Sequence, residues 1–215
     1  MSVVADPQVR HASARADVVA YGDVDLRGLP DHVAASWRRS SARGVPQQGV
    51  TPAYHDDLER DSRLVRCAQP VIEQLAEEVA DVPVSVVLTD ERARLLARRD
   101  GDSRLGRAFD RVYFAPGFDY AEGVVGTNGV GTAIEFGGPV RVVGGEHFVA
   151  ALQGFACAGA PVRDPFTGRI AGVLDLSCLR EQWTPVMHSL VRSAARRIER
   201  GLLRDRSQAQ QALFD

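Results

Sequence analysis

The stretch FACAGAPVRDPFTGRIAGVLDLSC, residues 155–178, is the part of the sequence that decides the fold. Two runs of residues with β-strand pattern, 155–163 and 169–178, flank the segment from Asp164 to Gly168. That segment consists mostly of the residue types that tight turns require. The stretch therefore predicts a β-hairpin.

The register of this hairpin follows from the length of its turn. With a five-residue loop, Arg163 faces Arg169 and Cys157 faces Asp175, because facing residues keep a constant sum of their numbers. Alternation along each strand then separates two faces of the sheet. One face carries small and polar residues: Cys157, Gly159, Val173, Asp175 and Ser177. The other face is apolar and is expected to pack on helices: Ala158, Ala160, Val162, Ile170, Leu174, Leu176 and Cys178.

The rest of the chain adds helices and strands on both sides of the hairpin. Alternating residues predict strands at 84–89, 93–98 and 140–143. Apolar residues at helical spacing predict a helix over 31–40, a second over about 54–80 that Pro70 bends or divides, and a long one from Trp183. The expected fold is α+β: an antiparallel sheet flanked by helices, with an N-terminal helical extension and a long C-terminal helix.

Four segments follow from this pattern. Residues 1–28 are polar and aperiodic, as in a disordered or loosely docked arm. Residues 29–82 form the N-terminal helical region, 83–182 form the core, and 183–215 form an exit helix.

Composition restricts the classes of function. The formal net charge is -2, and all 26 basic residues are arginine. This balance gives no basic field of the kind that a nucleic-acid-binding domain carries. No apolar run reaches the length of about 18 residues that a membrane helix needs, and no signal peptide is present, so a cytoplasmic location without membrane contact is expected. The three cysteines lack metal or disulfide spacing.

Several local strings resemble one family of bacterial regulators. They are SWRRS at 36–40, VGTNGVGTA at 125–133, GEHF at 145–148 and CAGAPVRDP at 157–165. Together with the order of elements, they resemble the GAF sensory domain of acetoin- and glycerol-catabolism-type (Fis-family) transcriptional activators and their actinobacterial relatives. The resemblance implies a GAF-like fold, a small-molecule effector and no enzymatic activity. It also implies that DNA is contacted only through an output domain, which this chain lacks.

The small and polar face of the hairpin is the expected floor of a ligand cavity, since small side chains leave room and a lone carboxyl or thiol orients a ligand. The first strand adds Val87 to this floor, and aromatic residues are expected to close it. No cofactor or metal is expected, because His147 has no second ligand at metal spacing. The candidate ligand-binding residues are Val87, Phe114, Phe118, Thr127, His147, Phe148, Cys157, Val173 and Asp175.

Other interpretations of these residues remain open. Cys157 is a candidate thiol or redox switch, or the nucleophile of a methionine sulfoxide reductase of the GAF type, although free cysteine is more often a small buried hydrophobe. Thr127 or Asn128 is expected to cap a helix, which is favoured over a nucleotide-binding loop. A module that only dimerises, without a ligand, is a further alternative.

The exit helix carries an apolar stripe at heptad-like spacing: Met187, Val191, Ala194, Ile198 and Leu202. Part of this stripe is expected to cover the sheet. What remains exposed toward Leu202 and Leu203 is expected to pair with a second copy through a seam that includes Ile198 and Leu202, which predicts a homodimer.

Overall fold

The computed structural model describes Leu26 and residues 28–80 and 82–211. The predicted arm, residues 1–28, lies almost wholly outside the described residues. Six α-helices are found in the described part: α1 Asp31–Ala42, α2 Arg63–Glu78, α3 Ser103–Asp110, α4 Glu122–Val125, α5 Gly131–Phe136 and α6 Pro185–Gln211. None of the described helices is both long and apolar enough to cross a membrane.

Five antiparallel strands form one sheet in the order β2-β1-β5-β4-β3. Their bounds are β1 Val84–Asp90, β2 Leu95–Asp100, β3 Val140–Val143, β4 Phe155–Arg163 and β5 Ile170–Leu179. The predicted hairpin supplies β4 and β5, which lie near the middle of the sheet. The fold is the expected α+β arrangement.

The register of the β4–β5 hairpin differs from the expected one by two residues. Cys157 faces Ser177, and Asp175 faces Gly159. Arg163 pairs with Ile170 and not with Arg169, and the Asp164 N–H donates to the carbonyl of Arg169 within the turn, which accounts for one residue of the difference. A register shift beside Arg163 adds one more residue on β5. Residues 155–162 and 172–178 keep the faces that the sequence predicts, because their register differs by two residues. Ile170 does not, since it lies before the bulge and pairs with Arg163, and Ala171 packs against the apolar core instead.

The apolar face of the sheet packs against α2 and α6. Alternate residues of β1, β4 and β5 point to this side, among them Val86, Ala158 and Leu176, and all of them are buried. The two helices contact each other and cover the same face. This layer is the main core of the domain.

The apolar stripe of α6 belongs entirely to this core. Ile198 and Leu202 are almost completely buried against the sheet and α2 within a single chain. The expectation that they form the seam of a dimer is therefore wrong, because a residue already covered by its own sheet has no surface left for a partner.

The second helix starts nine residues later than the pattern predicts. Ser62 caps α2, its hydroxyl accepting a hydrogen bond from the N–H of Val65. Tyr54 instead forms a β-bridge with Phe118. Pro70 lies inside α2, and no new helix starts there.

Candidate functional site

A small cavity lies on the other face of the sheet, inside a second cluster of buried apolar residues. The space open to the centre of a water-sized sphere is about 10 Å³, which is close to the smallest space that holds one water molecule. Aromatic and aliphatic side chains form most of its wall. The lining residues are Phe109, Val112, Phe114, Tyr120, Asn128, Gly129, Val130, His147, Leu152, Phe155 and Cys157.

His147 and Cys157 are polar side chains at one end of this cavity, but no polar atom of the wall is exposed to the space inside it. The Nδ1 atom of His147 lies 3.0 Å from the carbonyl oxygen of Gly144. Because a carbonyl oxygen only accepts, Nδ1 carries the proton in this bond. The Nε2 atom then faces the sulfur of Cys157 at 3.6 Å. Burial raises the pKa of the Cys157 thiol well above its ordinary value, which keeps the sulfur protonated.

Asp175 lies behind this end of the cavity, on the same face of the sheet as Cys157. The hydroxyl of Ser177 donates to the Oδ1 atom of the Asp175 carboxyl. Within the described part of the chain, Oδ2 has no hydrogen-bond partner although it is fully buried. Burial raises the pKa of the Asp175 carboxyl to about 7, and the bond from Ser177 only partly opposes this shift.

Two glycines let the backbone approach this carboxyl closely. A Cβ atom on Gly129 would lie 2.3 Å from Oδ2 of Asp175 and 2.6 Å from Cβ of Cys157. A Cβ atom on Gly159 would lie 1.8 Å from the carbonyl oxygen of Gly129. The Gly129 backbone therefore covers Asp175 and separates it from the cavity.

The loop that carries Gly129 is organised by Asn128. Its Oδ1 atom accepts hydrogen bonds from the N–H groups of Val130 and Gly131, where α5 begins. Its amide group donates to the carbonyls of Tyr120 and Gly126. Neither expected residue is the N-cap of α5, which is Val130, but Asn128 bonds to the first N–H groups of the helix from two residues before that position.

Thr127 instead connects the loop to α1. Its hydroxyl lies 2.7 Å from the hydroxyl of Ser36, which also lies 3.3 Å from the hydroxyl of Thr132. All three side chains are buried. The contact joins the loop beside the cavity to the N-terminal helix.

Two further contacts hold α1 on the cavity wall. The indole N–H of Trp37 donates to the carbonyl of Glu146, the residue before His147, at 2.8 Å. The guanidinium of Arg39 binds both oxygens of the Glu122 carboxyl, at 2.6 and 2.9 Å. The Glu122 side chain is fully buried, and its hydrogen bond to Arg39 raises the pKa of that guanidinium. The string SWRRS at 36–40 contains all three of these residues of α1, but the sequence does not reveal the roles of Ser36 and Arg39.

The structure brings only part of the predicted site together. Phe114, His147 and Cys157 line the cavity. Val87 and Val173 belong to the apolar cluster that surrounds it. Three predicted residues lie elsewhere: Thr127 contacts Ser36, Phe148 packs with Trp37, and Phe118 contacts Tyr54 and Tyr113.

Most of the wall is formed by residues that the sequence pattern does not single out, among them Phe109, Leu152 and Phe155. The two phenylalanine rings stack with centroids 4.8 Å apart. They come from α3 and the first residue of β4, and only their tertiary packing identifies them. Among the described residues, no group of three or more His, Cys, Asp or Glu side chains is placed to hold a metal ion.

Comparison with known proteins gives a consistent set of relatives. The family described as MimR, N-terminal domain, matches residues 8–200. The propane 2-monooxygenase operon transcriptional activator MimR of Mycolicibacterium smegmatis is 39% identical over 214 residues, covering 96% of this chain and 37% of that protein. The acetoin dehydrogenase operon transcriptional activator AcoR of Bacillus subtilis is 29% identical over 188 residues, covering 84% of this chain and 31% of that protein.

A solved structure matches the fold. The crystal structure of the E. coli DhaR(N)–DhaL complex superposes with a TM-score of 0.79 at 25% sequence identity, covering 86% of this chain and 64% of the matched chain. The fold is thus GAF-like, as the sequence resemblance implies. The chain spans about a third of the length of the two curated relatives.

Proposed function

Because the chain belongs to the MimR N-terminal domain family, a sensory domain of transcriptional activators, we propose that it binds a small-molecule effector in the cavity beside His147 and Cys157. The single observation that carries this proposal is the cavity itself, whose end beside these two side chains is adjacent to the loop that contacts α1. Its role is regulatory and not enzymatic.

The relatives suggest the size of the effector. They control operons for propane 2-monooxygenase, acetoin dehydrogenase, dihydroxyacetone kinase and glycerol metabolism. The molecules in these names have three or four carbon atoms, and most carry oxygen. An apolar cavity with polar side chains behind one part of its wall suits a molecule of this kind once the cavity expands. We propose that the effector is an oxygenated compound with three or four carbons.

Binding requires the cavity to expand, because its present space of about 10 Å³ holds no more than a water molecule. The Gly129 backbone forms part of the wall. Two residues before it, Thr127 bonds to Ser36 of α1. A shift of this loop would change how α1 is held, and this difference between the free and bound states supplies a route for the signal.

The thiol alternatives are disfavoured by the surroundings of Cys157. The side chain is buried, and burial raises its pKa, whereas a reactive cysteine needs an accessible thiolate. We therefore treat Cys157 as a wall residue and not as a redox switch or nucleophile.

Thermal unfolding of the 215-residue chain with a panel of three- and four-carbon alcohols, ketones and diols tests the proposal. An effector that binds only the folded state raises the melting temperature in a concentration-dependent way. Cys157→Ala should keep this response, because the sulfur is not essential to an effector site. Loss of the response in Cys157→Ala, together with sulfenate at Cys157 under mild peroxide, would favour a thiol sensor. No response to any compound of the panel would overturn the effector proposal.

Docking of a protein is a second candidate function. The related DhaR(N) is found in a complex with DhaL. On this chain, Tyr54 and Tyr113 are exposed and both contact Phe118, forming an aromatic surface. This candidate predicts that Tyr54→Ala weakens partner binding and leaves effector binding unchanged.

The remaining proposals concern the whole regulator. We propose that DNA is contacted by an output domain that corresponds to the additional length of the relatives. We further propose that the regulator is a homodimer and acts in the cytoplasm, where the DNA is.

A further inference from the structure

Hydrogen-bond donors around the cavity are already used within the protein. Both N–H groups of the Asn128 amide donate to backbone carbonyls. The hydroxyl of Tyr120 donates to the carbonyl of Val112 at 2.6 Å. The Nδ1–H of His147 donates to Gly144, and Nε2 faces the thiol of Cys157. None of these side chains has a donor to spare for a ligand, so a ligand that can only accept gains little from them.

One acceptor at the same end of the cavity has no partner. The Oδ2 atom of Asp175 is fully buried and without a hydrogen bond in the described part of the chain. It lies behind Gly129, the wall residue whose missing Cβ would touch it at 2.3 Å. A buried acceptor of this kind is stabilised most by a new donor, because it has lost its hydrogen bonds to water and no protein group replaces them.

We infer that Asp175 is the residue that selects the effector and that it does so by accepting the hydrogen of a hydroxyl group, so the effector is a small alcohol. This inference rests on the proposed effector site. The hydrocarbon part of the alcohol occupies the aromatic wall formed by Phe109, Phe114 and Phe155. Its hydroxyl displaces the Gly129 backbone from Asp175 and donates to Oδ2.

A ketone of the same carbon skeleton lacks this interaction. At pH 8, above the pKa of about 7, the Asp175 carboxyl is mostly ionised, so the ketone oxygen, which only accepts, would meet an acceptor at Oδ2 and no available side-chain donor. A site that leaves a buried polar group unpaired discriminates strongly against such an analogue. We expect the alcohol to bind at least about tenfold more tightly than the ketone.

Replacement of the carboxyl by an amide reverses the polarity of the site. In Asp175→Asn, the hydroxyl of Ser177 donates to the amide oxygen, as it does to Oδ1 in the native protein. The amide nitrogen then takes the place of Oδ2 and presents N–H groups, which only donate. The variant should bind the ketone more tightly than the native protein does and lose at least about tenfold in affinity for the alcohol.

Calorimetric titration of the 215-residue chain with propan-2-ol and propanone, and with butan-2-ol and butan-2-one, tests the inference at pH 8. Asp205→Asn is the matched control, since it makes the same change at a half-exposed carboxyl of α6 that lies 3.9 Å from Arg63 and does not line the cavity, and it should leave both affinities unchanged. The ratio of alcohol affinity to ketone affinity in the native protein is decisive even if Asp175→Asn does not fold.

Each outcome distinguishes the inference from the function on which it rests. Tighter binding of the alcohols, reversed in Asp175→Asn, supports it. Equal affinities or a preference for the ketones overturns the role of Asp175 and leaves the effector site in place. If none of the four compounds binds, the inference is overturned. If, in addition, no compound of the thermal-unfolding panel raises the melting temperature, the proposed function is overturned as well.

Discussion

At the scale of single residues, Asp175 makes the stability of the domain depend on pH. The pKa of an unperturbed aspartate carboxyl is 3.8, and that of Asp175 in the folded protein is about 7, because burial disfavours the charged form. Below about pH 4 the group is neutral in both states. As the pH rises towards 7, the Asp175 carboxyl ionises in the unfolded chain but not in the folded protein, so the contribution of this carboxyl to stability is lost. The loss approaches about 4 kcal/mol above pH 7.

Asp175→Asn should remove this loss. The amide cannot ionise, so the free energy of unfolding of the variant, relative to that of the native protein, should rise by about 2.6 kcal/mol between pH 5 and pH 8. Urea unfolding of both proteins at the two pH values measures the difference. Asp205→Asn should follow the native profile. Parallel profiles for native protein and Asp175→Asn would show that the Asp175 carboxyl is ionised in the folded state at pH 5.

Sequence alternation predicts which face these residues occupy but not how they meet. Cys157, Val173 and Asp175 lie on the expected side of the sheet, because the alternation has a period of two and survives a two-residue change of register. The register itself depends on a hydrogen bond from Asp164 to Arg169 and on a bulge in β5. Neither has a signal in the local pattern. The approach of Gly129 to Asp175 is a tertiary contact and is equally invisible in the sequence.

At the scale of elements, α1 depends on one buried ion pair. Glu122 of α4 is fully buried, and Arg39 binds both of its oxygens. Removal of Arg39 leaves the charge of the buried Glu122 carboxylate uncompensated. The resulting loss in the free energy of unfolding is larger than the net contribution of the intact pair. The neighbouring pair between Arg43 and Glu135, 2.7 Å apart, is much more exposed.

Arg39→Leu should therefore destabilise the domain by about 3 kcal/mol. Arg43→Leu is the matched control and should cost less than about 1 kcal/mol, because an exposed pair contributes little. Urea unfolding of the two variants measures both values, and hydrogen exchange of the amides of α1 shows whether the helix detaches first. Equal losses in the two variants would contradict the importance of the buried pair.

The sequence predicts most elements but few of their ends. The predicted helix at 31–40 and the strand at 140–143 are present, since apolar spacing reports burial directly. The start of α2 is predicted too early because Tyr54 and His55 bond to Phe118 and Gly117, and the helix begins only after its cap, Ser62. The sequence predicts Thr127 or Asn128 as the N-cap of the next helix, but that position is taken by Val130. Asn128 bonds to the first N–H groups of α5, and Thr127 contacts Ser36, 91 positions away, which no local pattern indicates.

At the scale of the whole molecule, the long helix α6 has one buried and one exposed side. Ile198 is completely covered by the sheet and α2, whereas Leu203 is 45% exposed. Amphipathic spacing alone does not distinguish a stripe that covers a sheet from one that meets a second copy. In the part of the chain that the structure describes, Ile198 and Leu202 pack in the core of a single chain. If the proposed homodimer uses α6, its contact must include the exposed side, where Leu203 lies.

Two substitutions on α6 separate folding from association. Ile198→Asp buries a charge in the core and should cost at least about 4 kcal/mol of unfolding free energy, which prevents stable folding. Leu203→Asp places the same charge on the exposed side and should change stability by no more than about 0.5 kcal/mol. If α6 carries the dimer contact, light scattering should show a dimer for the native chain and a folded monomer for Leu203→Asp. A folded Ile198→Asp protein would contradict the burial of this residue. A Leu203→Asp protein that dimerises with unchanged affinity would exclude Leu203 from the contact. The interface would then lie on other helices. The first of these to test is α1, because its contacts lie beside the cavity.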